Sequence, residues 1–217
     1  MFRFILSTPR ILLALFLLSG ALSANANANE KFSIDGGILH YNTDLPKNEN
    51  DQEITEDDVD YFKKVLKENP DIKTVHITSS GGITWAAIEI ADLIIDYDLN
   101  THVTGVCFSA CPLLFLGGTK RTLERGSKIG FHRSWWPVDD LKEYYESEKE
   151  YYEWESVYDF ASWVHDDAQE DMYNHFKFLL ERGIEPSFVI ETVSARSDED
   201  GWYPRRKQLL NAGFLTE

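Results

Sequence analysis

Ile77-Thr78-Ser79-Ser80-Gly81-Gly82 and, further on, Val106-Cys107-Phe108-Ser109-Ala110-Cys111-Pro112 share one grammar: an apolar run breaks into small or polar residues, and a helical pattern follows. Thr74 to Thr78 reads as a short strand carrying Val75 and Ile77. Ala87, Ile90, Ala91, Ile94 and Ile95 then recur at the spacing of one helix face, so a core-facing helix comes next. His102 to Cys107 is the following strand. Strand, helix and strand with short links make a βαβ unit, which puts the strands parallel with a right-handed crossover. Ser109 to Leu116 adds a helix and Lys128 to Phe131 a strand. The fold class is α/β with a parallel sheet.

Outward from these corners, Phe32 to Tyr41, interrupted by Gly36-Gly37, reads as a hairpin. Thr55 and Asp58 have capping-box spacing, with Asp in the usual Glu place. They open a helix whose Val59, Phe62, Val65 and Leu66 share a face, and Asn69-Pro70 ends it. On the other side, Asp139 to Asp171 holds 13 acidic residues against Lys142 and Lys149, and includes Tyr144, Tyr145, Tyr151, Tyr152, Trp154, Tyr158 and Trp163. With few breakers, it reads as one long helix or two continuing towards Arg182, an acidic helical insertion spanning residues 139–183. An aromatic stripe of this kind is how most helices bury themselves on a core; the functional alternatives are a subunit contact or a substrate lid. Pro204 to Ala212 is a last short helix, leaving through Gly213-Phe214-Leu215.

The first residues read as a processing signal. Arg3 and Arg10 precede an apolar run from Ile11 to Leu22, and Ser23-Ala24-Asn25-Ala26-Asn27-Ala28 offers small-x-small cleavage sites. The run is shorter than the roughly 20 residues that a spanning helix needs. Residues 1–26 are therefore expected to be a signal peptide and residues 27–217 a single domain, periplasmic or secreted, with no stable membrane span after cleavage. Two of the 21 basic residues leave with the signal, so 19 face 37 acidic ones. Such a surface repels phosphates and anionic headgroups, which argues against nucleic acid and membrane-surface partners. Cys107 and Cys111 are too few for a structural zinc site, so no metal and no cofactor is expected; export would instead let them pair.

Glycines at the end of a strand let N–H groups turn outward beside a helix N-terminus, a place to hold a developing oxyanion, although a Gly-Gly pair such as Gly81-Gly82 is usually only a tight turn. A serine at such a corner is most commonly an N-cap; Ser109 can also be a nucleophile whose next N–H, that of Ala110, serves the oxyanion. His132 closes the strand opened by Ser127-Lys128 and is either a surface histidine or a base.

Order and spacing join the three. The chain resembles the proteolytic subunit of the Clp protease and its crotonase-fold relatives, best over Thr74 to His132. The strand end Ser79-Ser80-Gly81-Gly82 matches that family's Ser-Pro-Gly-Gly except for the proline. Ser109 stands at the nucleophile, an apolar helix runs into Gly117-Gly118 and the basic pair Lys120-Arg121, and the strand from Ser127-Lys128 ends in His132. The resemblance implies repeated ββα units, a Ser109–His132 pair, oxyanion donors at Gly81 or Gly82 and Ala110, and assembly into a homo-oligomer. It also implies an acid shortly before the last helix: Asp200, with Asp198 second. Departures accompany it. The family's Ser-Met-Gly-Ala is Ser109-Ala110-Cys111-Pro112 here, Arg133-Ser134 replaces Gln-Pro, and the acidic stretch is longer. The pattern is similar to exported relatives with a Cys-x-Ser-Ala-Cys corner, which have no access to ATP or to the cytoplasmic unfolding ring.

The expected activity is thus ATP-independent hydrolysis of a peptide or protein substrate by an exported serine hydrolase. A catalytically silent scaffold that binds peptides or a protein partner is the alternative. A crotonase-type acyl-CoA enzyme is disfavoured because CoA is cytoplasmic, and a Ser–Lys dyad would need Lys142 or Lys149 to approach Ser109. A Cys107–Cys111 disulfide is expected to brace the corner, against two buried free thiols.

Overall fold

Alternation builds the sheet. In β3 (Thr74–Ser79) the residues Val75, Ile77 and Ser79 are buried, while Thr74, His76 and Thr78 on the other face are half-exposed. The computed structural model describes residues 30–48, 52–134, 136–194 and 201–217. The proposed signal peptide, Asp198 and Asp200 lie outside them. Strands β1 (Phe32–Asp35) and β2 (Ile38–Asn42) form the expected antiparallel hairpin, and β2 then pairs in parallel with β3. Next comes β4 (Asn100–Phe108), whose first half pairs with β5 (Arg121–Leu123) and whose second half pairs with β6 (Lys128–Gly130), all parallel. The β3–β4 register slips between Ile77 and Ser79, so that Ser79 faces Cys107. Such an irregularity bends the longer strand, and here it directs Cys107-Phe108 towards the end of β3.

The helices cover the apolar face. Helix α1 (Glu56–Glu68) buries Phe62, Val65 and Leu66, and α2 (Thr84–Asp96) buries Ala86, Ala87, Ile90, Ala91 and Ile94. Ile95, expected on that face, lies at its edge, half-buried. The short α3 (Cys111–Leu116) is buried throughout. Asp58 does more than cap α1. Its carboxylate accepts from the Thr55 N–H at 2.9 Å, and also from Lys31 Nζ at 2.7 Å and the Tyr41 hydroxyl at 2.8 Å. It thereby ties α1 to β2 inside the core, where a lone carboxylate would be costly.

The acidic stretch forms two helices, α4 (Val138–Glu148) and α5 (Val157–Glu181). Its aromatic stripe does not lie on the main core. Tyr144, Tyr145, Tyr152, Trp154, Phe160 and Trp163 stack on one another between the two helices, a small aromatic cluster of their own. Only the far end of α5, through Phe178 and Leu179, joins the main core. Helices α6 (Pro186–Ser194) and α7 (Arg206–Asn211) follow, α7 being the expected last helix. Among the described residues no helix is long and apolar enough to cross a membrane.

Candidate active site

At the end of β4 the chain must reverse from strand to helix within two residues. Ser109 does so at φ 61°, a left-handed conformation that non-glycine residues adopt only under constraint. The constraint is visible on both sides. Cys107 and Cys111, both fully buried, are joined by a disulfide with Cα atoms 5.2 Å apart, and Pro112 sits in the first turn of α3, where no N–H is needed. The expected bridge between these cysteines is therefore present, two residues from Ser109 on each side.

The end of β3 closes on the same corner. Gly81 has φ 114°, and a Cβ built on it would lie 2.5 Å from Ser109 Cβ and 2.9 Å from the Phe108 carbonyl. Only glycine lets the two strand ends approach this closely. The Gly81 N–H donates to Ser79 Oγ at 3.1 Å, whereas the N–H groups of Gly82 and Ala110 make no hydrogen bond among the described residues.

His132 arrives from the other side. Just beyond β6, Phe131 and Trp202 exchange two backbone hydrogen bonds, of 2.9 and 2.7 Å, and His132 follows directly. Its Nε2 is 2.6 Å from Ser109 Oγ, and its Nδ1 is 2.9 Å from the Arg133 carbonyl oxygen. A carbonyl only accepts, so in the neutral ring the proton sits on Nδ1 and Nε2 is left to accept from the Ser109 hydroxyl. This is the tautomer in which an imidazole can take a serine proton. The ring is also held flat: it stacks on Phe108 at 5.0 Å, and Phe108 stacks on Tyr203 at 5.5 Å. Gly130 leaves the room for both rings, since a Cβ there would meet Phe108 Cδ2 at 2.7 Å and collide with Tyr203.

Ser109, His132, Gly81, Gly82, Ala110, Cys107 and Cys111 thus fall at one junction of three strand ends. Asp200 and Asp198 lie outside the described residues. Lys149, one of the two lysines weighed for a dyad, is paired with Glu146 at 2.6 Å. Three participants escaped sequence reading: the Phe108 and Tyr203 rings, and the Arg133 carbonyl. Phe108 had a signal in its position just before the serine; a backbone carbonyl has none.

No protein-family model matches the chain, and neither does any curated protein. Among solved structures, a point mutant of ClpP1 from Listeria monocytogenes superposes with a TM-score of 0.52 at 17% identity, covering 76% of this chain and 85% of that one. The chain accordingly has a ClpP-like fold: mixed α/β with a mostly parallel sheet.

Proposed function

We propose that this chain is an exported, ATP-independent serine peptidase of a ClpP-like, crotonase-related type. The observation that carries the reading is the 2.6 Å contact between Ser109 Oγ and a His132 Nε2 left without a proton by the Arg133 carbonyl. Ser109 Oγ attacks the scissile carbonyl carbon while its proton passes to Nε2. The N–H groups of Ala110 and Gly82 donate to the oxygen that becomes negative. Collapse of the tetrahedral adduct breaks the C–N bond, and the imidazolium returns its proton to the departing amine. Water then repeats the sequence on the acyl-serine. Asp200 is the proposed acid beside the imidazolium. Supporting it, Trp202, two residues on, is bonded to Phe131 immediately before His132. Export is supported by the leader pattern and by a disulfide, which persists in oxidising compartments. Residues 139–183 are proposed as an addition to the repeated ββα core that also serves homo-oligomer contacts.

One observation favours the silent-scaffold reading. The described partner of Nδ1 is a carbonyl, which orients the ring but cannot neutralise an imidazolium as a carboxylate does. Hydrolysis of unstructured peptides and activated esters by the mature chain, without ATP, separates the two. A peptidase loses roughly a thousandfold or more in turnover on Ser109→Ala or His132→Ala. A scaffold shows no turnover that either substitution removes.

A further inference from the structure

Behind the aromatic stack lies a cavity of about 650 Å³ between the β5–β6 connection and the segment leading into α7. Arg125, Lys128, Arg205 and Arg206 line it, with Tyr203 on its wall and Glu124 as the only carboxylate. This concentration of cations occurs in a chain with 37 acidic residues against 21 basic ones. Arg206 is spoken for, donating to the Leu123 carbonyl at 2.7 Å and to a backbone oxygen of Glu217 at 3.0 Å. Arg125, Lys128 and Arg205, by contrast, have no carboxylate within 4 Å among the described residues. Lys128 instead holds its ammonium 5.7 Å from the centre of the Tyr203 ring. The Glu124 carboxylate is turned to Ser127 Oγ, at 3.5 Å.

We propose that this cavity is a binding site for a small polyanion, a molecule bearing two or more carboxylate or phosphate groups. Guanidinium pairs are suited to such oxyanions, because their planar forks grip two oxygens at once. Unpaired cations around a concave, partly apolar wall focus positive potential where the rest of the surface is negative. The volume is that of an ordinary small-molecule site. The site adjoins the stack that carries His132 through the shared Tyr203 ring, yet it uses none of the groups assigned to hydrolysis. Its existence and the peptidase reading therefore stand or fall separately.

Calorimetric titration of the mature chain with pyrophosphate and with citrate, each at matched ionic strength, tests the proposal. Saturable one-to-one binding of either anion is expected, and which one binds more tightly identifies phosphate or carboxylate as the preferred source. The double variant Arg125→Ala/Arg205→Ala removes two charge-assisted contacts and is expected to weaken binding by about tenfold or more, while its circular dichroism and melting match the parent. Arg125→Lys/Arg205→Lys keeps the charge without the fork and should fall between. No saturable heat with either anion overturns the proposal. So does undiminished binding by the folded double variant, or equal heat from chloride.

Discussion

Ser109 keeps its left-handed backbone because Gly81 lets the two strand ends touch. Replacing that glycine by alanine puts a Cβ into van der Waals collision with Ser109 Cβ and imposes a φ of 114° on an L-residue. Strain of this kind is worth on the order of 1–3 kcal/mol. Gly81→Ala should therefore lower the melting temperature moderately and Ser109 reactivity far more, since relief of the collision moves the nucleophile. Thermal unfolding beside probe labelling measures both; equal losses would make Gly81 merely structural. The convergence of Ser109, His132 and the two glycines was legible because their order along the chain is distinctive even though each residue alone is ambiguous. Phe108 and Tyr203 were not, because stacking depends on which rings tertiary structure brings together. Nor was the hydrogen bond from the Gly81 N–H to Ser79 Oγ, a side-chain contact two residues away.

The strand-to-helix corner, as an element, is held by the Cys107–Cys111 bridge. The loop it closes is very short, so the chain-entropy model assigns it only about 2 kcal/mol. Its larger effect is local, on both sides of Ser109. Reduction, or the double variant Cys107→Ala/Cys111→Ala, should slow Ser109 labelling by a larger factor than the modest drop in melting temperature implies. Intact-mass measurement of the unreduced chain, two hydrogens lighter than the dithiol, verifies the bridge first. A second element-scale effect sits where α5 meets α6. His175 Nε2 donates to Thr192 Oγ1 at 3.3 Å, the Thr192 hydroxyl being committed to the Val189 carbonyl at 2.7 Å. Burial pushes its pKa from 6.5 down to about 4. A histidine depressed in the folded state titrates first in the unfolded chain, so its contribution is intact above pH 6.5 and is lost as pH falls through about 4. The loss is roughly 3 kcal/mol at most. On the sheet, His40, His76 and His102 stand in register on adjacent strands, and burial followed by the neighbouring imidazoles lowers His76 in the same direction. Denaturant midpoints should fall between pH 7 and 4.5, and His175→Gln should flatten part of that slope; an unchanged slope contradicts the assignment. The α4–α5 region shows where periodicity stops being informative. It reveals helices and an apolar stripe but not which surface the stripe meets, and here the aromatics meet one another.

At the scale of the whole molecule, the lobe of α4 and the first half of α5 projects Val138, Tyr151 and Tyr158, each about 80% exposed, from an acidic surface. The proposed homo-oligomer would cover these side chains. Light scattering should give a mass above the monomer, reduced by Tyr158→Asp; a monomer at working concentration contradicts this. The parallel sheet and its helices were readable because short strands and helices alternate at distinct periods. The division of β4 between two partner strands was not, since register is set by pairing across the sheet. The central claim, that this ClpP-like fold carries a working serine nucleophile, meets its most direct test in a fluorophosphonate reaction followed by intact-mass and peptide analysis. One adduct is expected, on Ser109, absent from Ser109→Ala and formed roughly a hundredfold or more slowly in a folded His132→Ala protein. A folded, disulfide-intact chain that takes up no adduct, or takes it up equally well without His132, would contradict it.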